Sequence, residues 1–301
     1  MYKEKKFNSI IKQICKEKGI KYSELSDDWI IKLKKKSKIK YIIGYKFELN
    51  SQSTADICND KCALYSVLHA ENIPIIRYNI LYKYEEEKLE KYFNMFEKNV
   101  VIKPNNGTCG NNVIHTNNIE ELNKEYKKII EKNHSICICP FYDIKNEYRV
   151  IYLKEKQYIY KKVKPIIIGD GEKTIKELLK DFNNSYFSKE ENLKNENIDI
   201  NYIPKKNEKI EYEWRFNLSK GAIIEDVNDE EKKELIKLVN KVIDVIDLDF
   251  VSIDIVKLEN NEFKIMEINS GVMMENLINL KEDGEKIAKS IYEIAIQKMF
   301  S

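Results

Sequence analysis

Apolar residues recur along this chain at two periods, and the switches between them outline its elements. Phe7, Ile10, Ile11 and Ile14 fall three and four apart with charges between, which predicts a helix over 5–18. The lysine-rich KLKKKSKIK at 32–40 reads as a solvated face or loop, and YIIGYKF at 41–47 as a strand. An N-capped helix starts at Asp60, and a strand is expected over 73–82. Next come a helix at 86–98, a strand at 99–104, a Gly/Asn loop at 105–112, a short strand VIHT, a helix at 119–132 and the strand SICIC at 135–139. Two further strands, EYRVIYL and QYIYKKV, precede IIIGDGEKTIKELLKDF, which reads as strand, tight turn and helix with Thr174 as cap. Residues 183–208, rich in Asn and Lys, read as a surface excursion. The chain closes with a helix at 229–246, strands at 249–257 and 262–268, and an amphipathic helix at 284–298. The alternation predicts a protein of mixed α and β structure without internal repeats.

Composition narrows the function classes. With 301 residues and 43% apolar content the chain can bury a sizeable core. Its 52 basic and 50 acidic side chains leave a net charge of +2, which argues against nucleic acid as a partner. No apolar run reaches the length of a membrane helix, so no membrane partner is expected. Six cysteines without a CxxC pair and only three histidines disfavour a zinc cluster, a disulfide framework and a His-based triad; a reducing cytoplasm is the expected compartment. Against 49 lysines stand three arginines, Arg77, Arg149 and Arg215. An arginine that persists in so lysine-rich a chain suggests a place where the planar fork is needed, which directs attention to Arg149 and Arg215. Arg77 reads as a surface residue.

Two clusters carry chemistry. In DFVSIDIVKLENNEFKIMEINSG, Glu267 and Asn269 sit two apart on one strand, and a hairpin turn at 259–262 could bring Asp254 opposite them. Two carboxylates and an amide oxygen form a hard-oxygen set suited to Mg²⁺; the same spacing also fits an exposed face that simply alternates. KPNNGTCGNN at 103–112 joins a strand-end lysine to a glycine-containing loop. It fits a cover over phosphate as well as an ordinary Asn/Gly turn, and it matches neither a Walker A loop nor GxGxxG. Cys137 and Cys139 alternate sides of a strand and read as packing residues, whereas Cys109 lies in the loop as a candidate redox-sensitive point.

With these two clusters in one chain, the sequence resembles the ATP-grasp superfamily, in particular the branch of cyanophycin synthetase, bifunctional glutathione synthetase and the ribosomal-protein glutamate ligases. The matching pieces run in the family's order from about Phe47 to the C-terminus: Asn59-Asp60-Lys61 with IPI at 73–75, KPNNGTCGNNV, EYRV at 147–150, IGDGEKTIKEL at 168–178, WRFNLSKGA at 214–222, and DIV…MEINSG. The resemblance implies an α+β fold in which two α+β lobes clasp ATP. It divides the chain into a short N-terminal lobe (1–59), a small lobe with the glycine loop (60–145), and a large lobe (146–301) with an insertion at 165–208. It further implies that Lys61 and Lys103 contact ATP phosphates beneath Gly107, Thr108, Cys109 and Gly110. Cys137, Ile138, Cys139, Pro140, Phe141, Tyr142 and Asp143 would form the hinge that reads adenine, and Glu147 would take the ribose hydroxyls. Arg149, Lys162, Arg215 and Asn217 would line the phosphates and the acyl-phosphate pocket. Asp254, Glu267 and Asn269 would hold Mg²⁺, two ions as a rule, with Mn²⁺ as an alternative. Two departures stand out: Pro140 replaces the glutamate that many relatives place at the adenine amino group, and Ser252 replaces an arginine two residues before the metal-binding Asp. The implied activity is ATP-dependent carboxylate–amine ligation through an acyl phosphate. Its substrates would be a small-molecule acid and amine, a peptide end or an acid on a carrier protein, and a homo-oligomer is among the expected assemblies. A phosphotransferase acting on a hydroxylated substrate, or a non-catalytic nucleotide-binding module, shares most of these motifs.

Overall fold

A computed structural model describes residues 5–107, 110–154, 156–164, 166–180, 199–211 and 213–301. The chain divides into two compact units, 1–159 with 227–301, and 160–226.

The first unit opens with helix α1 (Lys6–Glu17), which buries Phe7, Ile10, Ile11 and Ile14 as their spacing predicts. Strands β1 (Lys21–Leu25), β2 (Ile30–Lys35), β3 (Lys38–Ile43) and β4 (Lys46–Phe47) form an antiparallel meander in chain order. The stretch 32–40 is thus a solvated face, one of the two expectations, and it is carried on a hairpin rather than a loop. Leu33 is fully buried and Lys34 exposed, so the lysines alternate with apolar residues along β2. Helix α2 (Gln52–Asn59), absent from the sequence reading, is capped by the Ser51 hydroxyl, which accepts from Thr54 N at 3.2 Å. Asp60 caps α3 (Lys61–Ala70) in the same way, accepting from Ala63 N at 2.8 Å. The strand expected over 73–82 shortens to β5 (Asn79–Tyr82), because Pro74 has no N–H for a ladder and Ile75 makes only a single parallel bridge to Ile265.

Helix α4 (Glu86–Met95), β6 (Val100–Pro104), β7 (Ile114–Thr116), α5 (Ile119–Ile130) and β8 (Ser135–Pro140) follow. Their sheet has the order β5-β8-β6-β7, and Val100, Ile102, Ile136 and Ile138 point from one face into a core with Leu89 and Phe93 of α4 and Leu122 and Tyr126 of α5. Strand β9 (Ile144–Leu153) passes into β10 (Lys156–Val163), which enters the second unit. After that unit the chain returns as α7 (Asp229–Val245), β14 (Phe250–Leu258), β15 (Phe263–Asn269), α8 (Glu275–Leu280) and α9 (Gly284–Phe300). Strand β14 lies between β9 and β15, antiparallel to both. Tyr148, Val150, Val251, Ile253, Ile255 and Ile268 project from one face into a core with Leu64 and Leu68 of α3 and Leu235, Val239 and Val242 of α7.

The second unit contains β11 (Ile166–Ile168) paired with β12 (Lys209–Glu211), α6 (Ile175–Lys180), a 3₁₀ turn (Leu218–Lys220), and β13 (Ile223–Glu225) paired with the end of β10. Its GDG turn is structural. A Cβ on Gly169 would lie 2.2 Å from the Lys205 carbonyl, and Gly171 has φ +86°. Asp170 accepts from the backbone N of Glu172 and Lys173, and these bonds hold its carboxyl below the usual range. Thr174 caps α6 as expected: its Oγ1 accepts from Glu177 N at 3.3 Å while Glu177 accepts from Thr174 N at 2.9 Å, a capping box. Most of the surface excursion expected at 183–208 lies outside the described residues.

Candidate functional site

The register of three strands places the polar residues of the C-terminal hairpin on the face opposite its apolar core. Asp254 pairs with Glu267 on one side and with Arg149 on the other, while Ser252 pairs with Asn269. Directly paired residues share a face, so Arg149, Ser252, Asp254, Glu267 and Asn269 stand together. A register shift between Asp254 and Ile255 leaves Met266 without a partner, a β-bulge. Strict alternation would put Ile265 on the same face as Glu267 and Asn269. The bulge resets the alternation, and Ile265 joins the core.

Asp254 is 2% exposed, and both its oxygens are engaged by the Arg149 fork, Nε at 2.7 Å and the terminal nitrogen at 2.6 Å. Glu267 Oε1 accepts from Asn269 Nδ2 at 3.2 Å, and its other oxygen lies 3.8 Å from Lys61 Nζ. Among the described residues no group of three His, Cys, Asp or Glu is placed to hold a metal ion. The donor set is instead two carboxylates and an amide, which fits Mg²⁺ in kind. A carboxylate oxygen that accepts one hydrogen bond keeps a second lone pair, so Asp254 retains donor capacity beside Arg149.

Cationic groups meet the hairpin from the side of α3 and β6. Lys61, in the first turn of α3, is 5% exposed and donates to the backbone oxygens of Asn105 (3.2 Å) and Gly107 (2.8 Å), tying the loop after β6 to the helix. Asn105 is 1% exposed; its Oδ1 accepts from Cys62 N at 3.2 Å, and among the described residues its Nδ2 has no hydrogen-bond partner. A buried donor without an acceptor fits a site built for an anion. Lys103 Nζ donates to the Tyr78 hydroxyl (3.0 Å), which donates to the carbonyl of the bulged Met266 (3.1 Å). Burial alone would lower Lys103, but the Tyr78 oxygen and nearby groups that include Glu267 outweigh it and raise its pKa. Burial would likewise raise the Cys137 thiol; a hydrogen bond from Cys62 and the ammonium groups of Lys103 and Lys61 bring it below its ordinary value.

The segment expected to read adenine is divided by the sheet. Cys137 and Ile138 are paired on both sides, to β5 and to β6, with both side chains buried. The β5 pairing ends at Ile138, and beyond it Phe141 N donates to the Asn99 carbonyl at 2.9 Å while the Asp143 carbonyl accepts from Glu259 N at 3.1 Å. Phe141 stacks on His115 with ring centroids 3.9 Å apart. Glu147, 6% exposed, lies on β9 opposite Val256, on the same face as Arg149. Gly107 and Gly110 flank Thr108 and Cys109, which lie outside the described residues.

No family model matches the sequence. Two curated relatives do, the cyanophycin synthetases of Trichormus variabilis (25% identity) and of a Nostoc species (24%), each in an alignment 267 positions long that covers 82% of this chain and 29% of the relative. The chain thus spans less than a third of the length of these relatives. Among solved structures, the bifunctional glutathione synthetase of Pasteurella multocida aligns with TM-score 0.55 and 18% identity over 94% of this chain and 43% of that one. The D-alanine–D-alanine ligase of Bacillus anthracis aligns at 0.57 and 15% identity over 85% and 70%, and the D-alanyl-alanine synthetase A of Vibrio cholerae at 0.57 and 11% over 97% and 92%. The chain has the ATP-grasp fold.

Within its first unit, the ATP-grasp chain brings together Lys61, Lys103, Arg149, Asp254, Glu267 and Asn269. Lys162, Arg215 and Asn217 lie in the second unit. Lys162 is 4% exposed on β10 opposite Ile224, and Asn217 Oδ1 caps the 3₁₀ turn by accepting from Ser219 N at 2.9 Å. Arg215 is paired through Nε (2.6 Å) and a terminal nitrogen (2.8 Å) with Glu213, whose side chain is fully buried and also meets Lys220 at 3.2 Å. Three participants were missed in the sequence. Tyr78 sits in a run read only as a strand. Asn105 is one of four asparagines around the loop, and nothing distinguishes it before burial is known. Glu213 precedes the recognised motif, although a carboxylate two residues from a rare arginine was a usable signal.

Proposed function

We propose that this chain is an ATP-dependent carboxylate–amine ligase. One observation carries the reading most directly. On an ATP-grasp fold, a hairpin face of two carboxylates and an amide oxygen stands 3.8 Å from a buried lysine that also anchors the loop after β6. The solved neighbours of like fold include two named as ligases or synthetases of D-alanyl-alanine and one named as a glutathione synthetase, and one neighbour is complexed with ATP. A carboxylate oxygen attacks the γ-phosphorus of ATP, the bond to the β-phosphate oxygen breaks, and ADP leaves. An amine then adds to the acyl carbon of the resulting mixed anhydride, loses a proton, and expels phosphate as the amide forms. Charge grows on phosphate oxygens in the first step. Lys61, Lys103 and the Asn105 amide are the groups of the first unit suited to stabilise it, with Gly107 and Gly110 as backbone cover. Asp254, Glu267 and Asn269 would hold Mg²⁺, which neutralises phosphate charge when bound. Arg149 fixes the orientation of Asp254 through both carboxylate oxygens. By resemblance to the ATP-grasp superfamily the segment 137–143 is assigned to the adenine and Glu147 to the ribose. Lys162, Arg215 and Asn217 are phosphate-binding candidates by resemblance alone. The amine and acid are small molecules or the end of a peptide.

Hydroxylamine is the decisive reagent. Purified protein incubated with ATP, magnesium, hydroxylamine and pools of amino acids and small acids should release ADP and accumulate a hydroxamate. ADP release with a phosphate ester and no hydroxamate would convert the assignment to a phosphotransferase.

A further inference from the structure

Tyr78 stands between the lysine cluster and the carboxylate hairpin, and we propose that it is the positioning residue for Lys103, fixing that ammonium relative to the hairpin. The inference rests on the nucleotide half of the function proposed above and needs neither the acid nor the amine. The segment that carries Tyr78 is fastened to β15 at the bulge. Ile265 N donates to the Pro74 carbonyl at 2.8 Å, Ile76 N donates to the Ile265 carbonyl at 2.9 Å, and the Tyr78 hydroxyl donates to the Met266 carbonyl at 3.1 Å. That last carbonyl belongs to the peptide bond that leads into Glu267. The bulge leaves Met266 without a partner residue on β14, and the phenol reaches it from the flank.

The same hydroxyl accepts from Lys103 Nζ at 3.0 Å, and the ammonium lies 4.8 Å from the centroid of the Tyr78 ring. An ammonium only donates, so the hydroxyl directs its own proton to Met266, and the chain Lys103–Tyr78–Met266 runs in one direction. Tyr78 is 2% exposed, which holds its ring in place. Among the described residues its hydroxyl is the one hydrogen-bond partner of the Lys103 ammonium. An ammonium has three N–H groups, so two are left for a ligand. The two lysines of this cluster are therefore held differently. Lys61 is tied by two backbone carbonyls, those of Asn105 and Gly107, whereas the flexible stem of Lys103 is aimed by a single side chain. A change at Tyr78 reaches Lys103 and leaves the anchors of Lys61 intact.

The test is calorimetric titration of the whole protein with ADP, and with the β,γ-imido analogue of ATP, in the presence of magnesium. It is run on a double-mutant cycle of Tyr78→Phe and Lys103→Met, with affinities taken per folded molecule. Phenylalanine keeps the ring beside the ammonium and removes only the hydroxyl. Tyr78→Phe should weaken nucleotide binding about fivefold. In the Lys103→Met background the same change should cost less than about twofold, because no ammonium is left to aim. A hydroxyl that served only the bulge would weaken binding equally in both backgrounds, and that result overturns this inference alone. So does a Tyr78→Phe protein that binds nucleotide as tightly as the parent. A parent that binds neither nucleotide overturns it together with the nucleotide reading on which it rests.

Discussion

The molecule contains two four-stranded antiparallel sheets in its first unit, and they use the same residues in opposite ways. The β1–β4 sheet is a meander whose pairings are all local, turning through Ser26, Asp27 and Asp28, then Lys36, then Gly44, each with positive φ. Its lysines face water. The β5-β8-β6-β7 sheet breaks chain order, buries one face under α4 and α5, and turns Lys103, Cys137 and Cys139 to the other. In a chain with 49 lysines, chemistry is distinguished by burial. Among the described residues the two lysines with least exposure are Lys162 at 4% and Lys61 at 5%, both assigned to phosphate. Desolvating an ammonium is unfavourable, so its persistence in the interior points to a partner of opposite charge.

The contrast can be broken by substitution. The largest effect is expected at the hairpin: Glu267→Gln should lower ADP release on the order of 100-fold or more with little change in melting temperature. Near-normal turnover would remove Glu267 from the site. Next, Leu33→Ala in the meander should cost about 3 kcal/mol in urea unfolding, while nucleotide binding per folded molecule stays unchanged. A loss of nucleotide affinity at equal folded fraction would show that the two sheets do not divide their tasks. Tyr78→Phe removes the hydroxyl between Lys103 and Met266 and should cost about 1 kcal/mol, with a raised KM for ATP. Lys34→Ser, on the solvated side, should stay within about 0.5 kcal/mol.

A pH experiment sharpens the account of the second unit. Arg215 and Lys220 outweigh the burial of Glu213 and hold its carboxyl below the usual range. Its contribution to stability is therefore complete above the ordinary carboxylate value and is lost as pH falls through the depressed one, below about pH 4. Trp214, next to Glu213 and 5.5 Å from the Arg215 guanidinium, reports this by fluorescence in a Trp29→Phe background. In Glu213→Gln the acid transition should disappear from that signal.

Periodicity made most of the helices and the long apolar strands legible, because VVIKP, SICIC and EYRVIYL carry their burial in their composition. It failed at 32–40 and at α2, where charged or small polar residues conceal regular backbone. Spacing showed that Glu267 and Asn269 lie two apart on one face, but the turn length alone would set Asp254 opposite Met266; the bulge that brings Glu267 there was not legible. What spacing could not supply was the partner of each charge. Arg149 lies 105 residues from Asp254, and only the three-strand register joins them.

Met266, the extra residue in β15, decides whether that hairpin can serve two purposes. Without an odd residue there, a strand that seats Ile265 among hydrocarbon would drag Glu267 and Asn269 in after it. One unpaired amino acid lets the same short segment be greasy at its start and polar at its end.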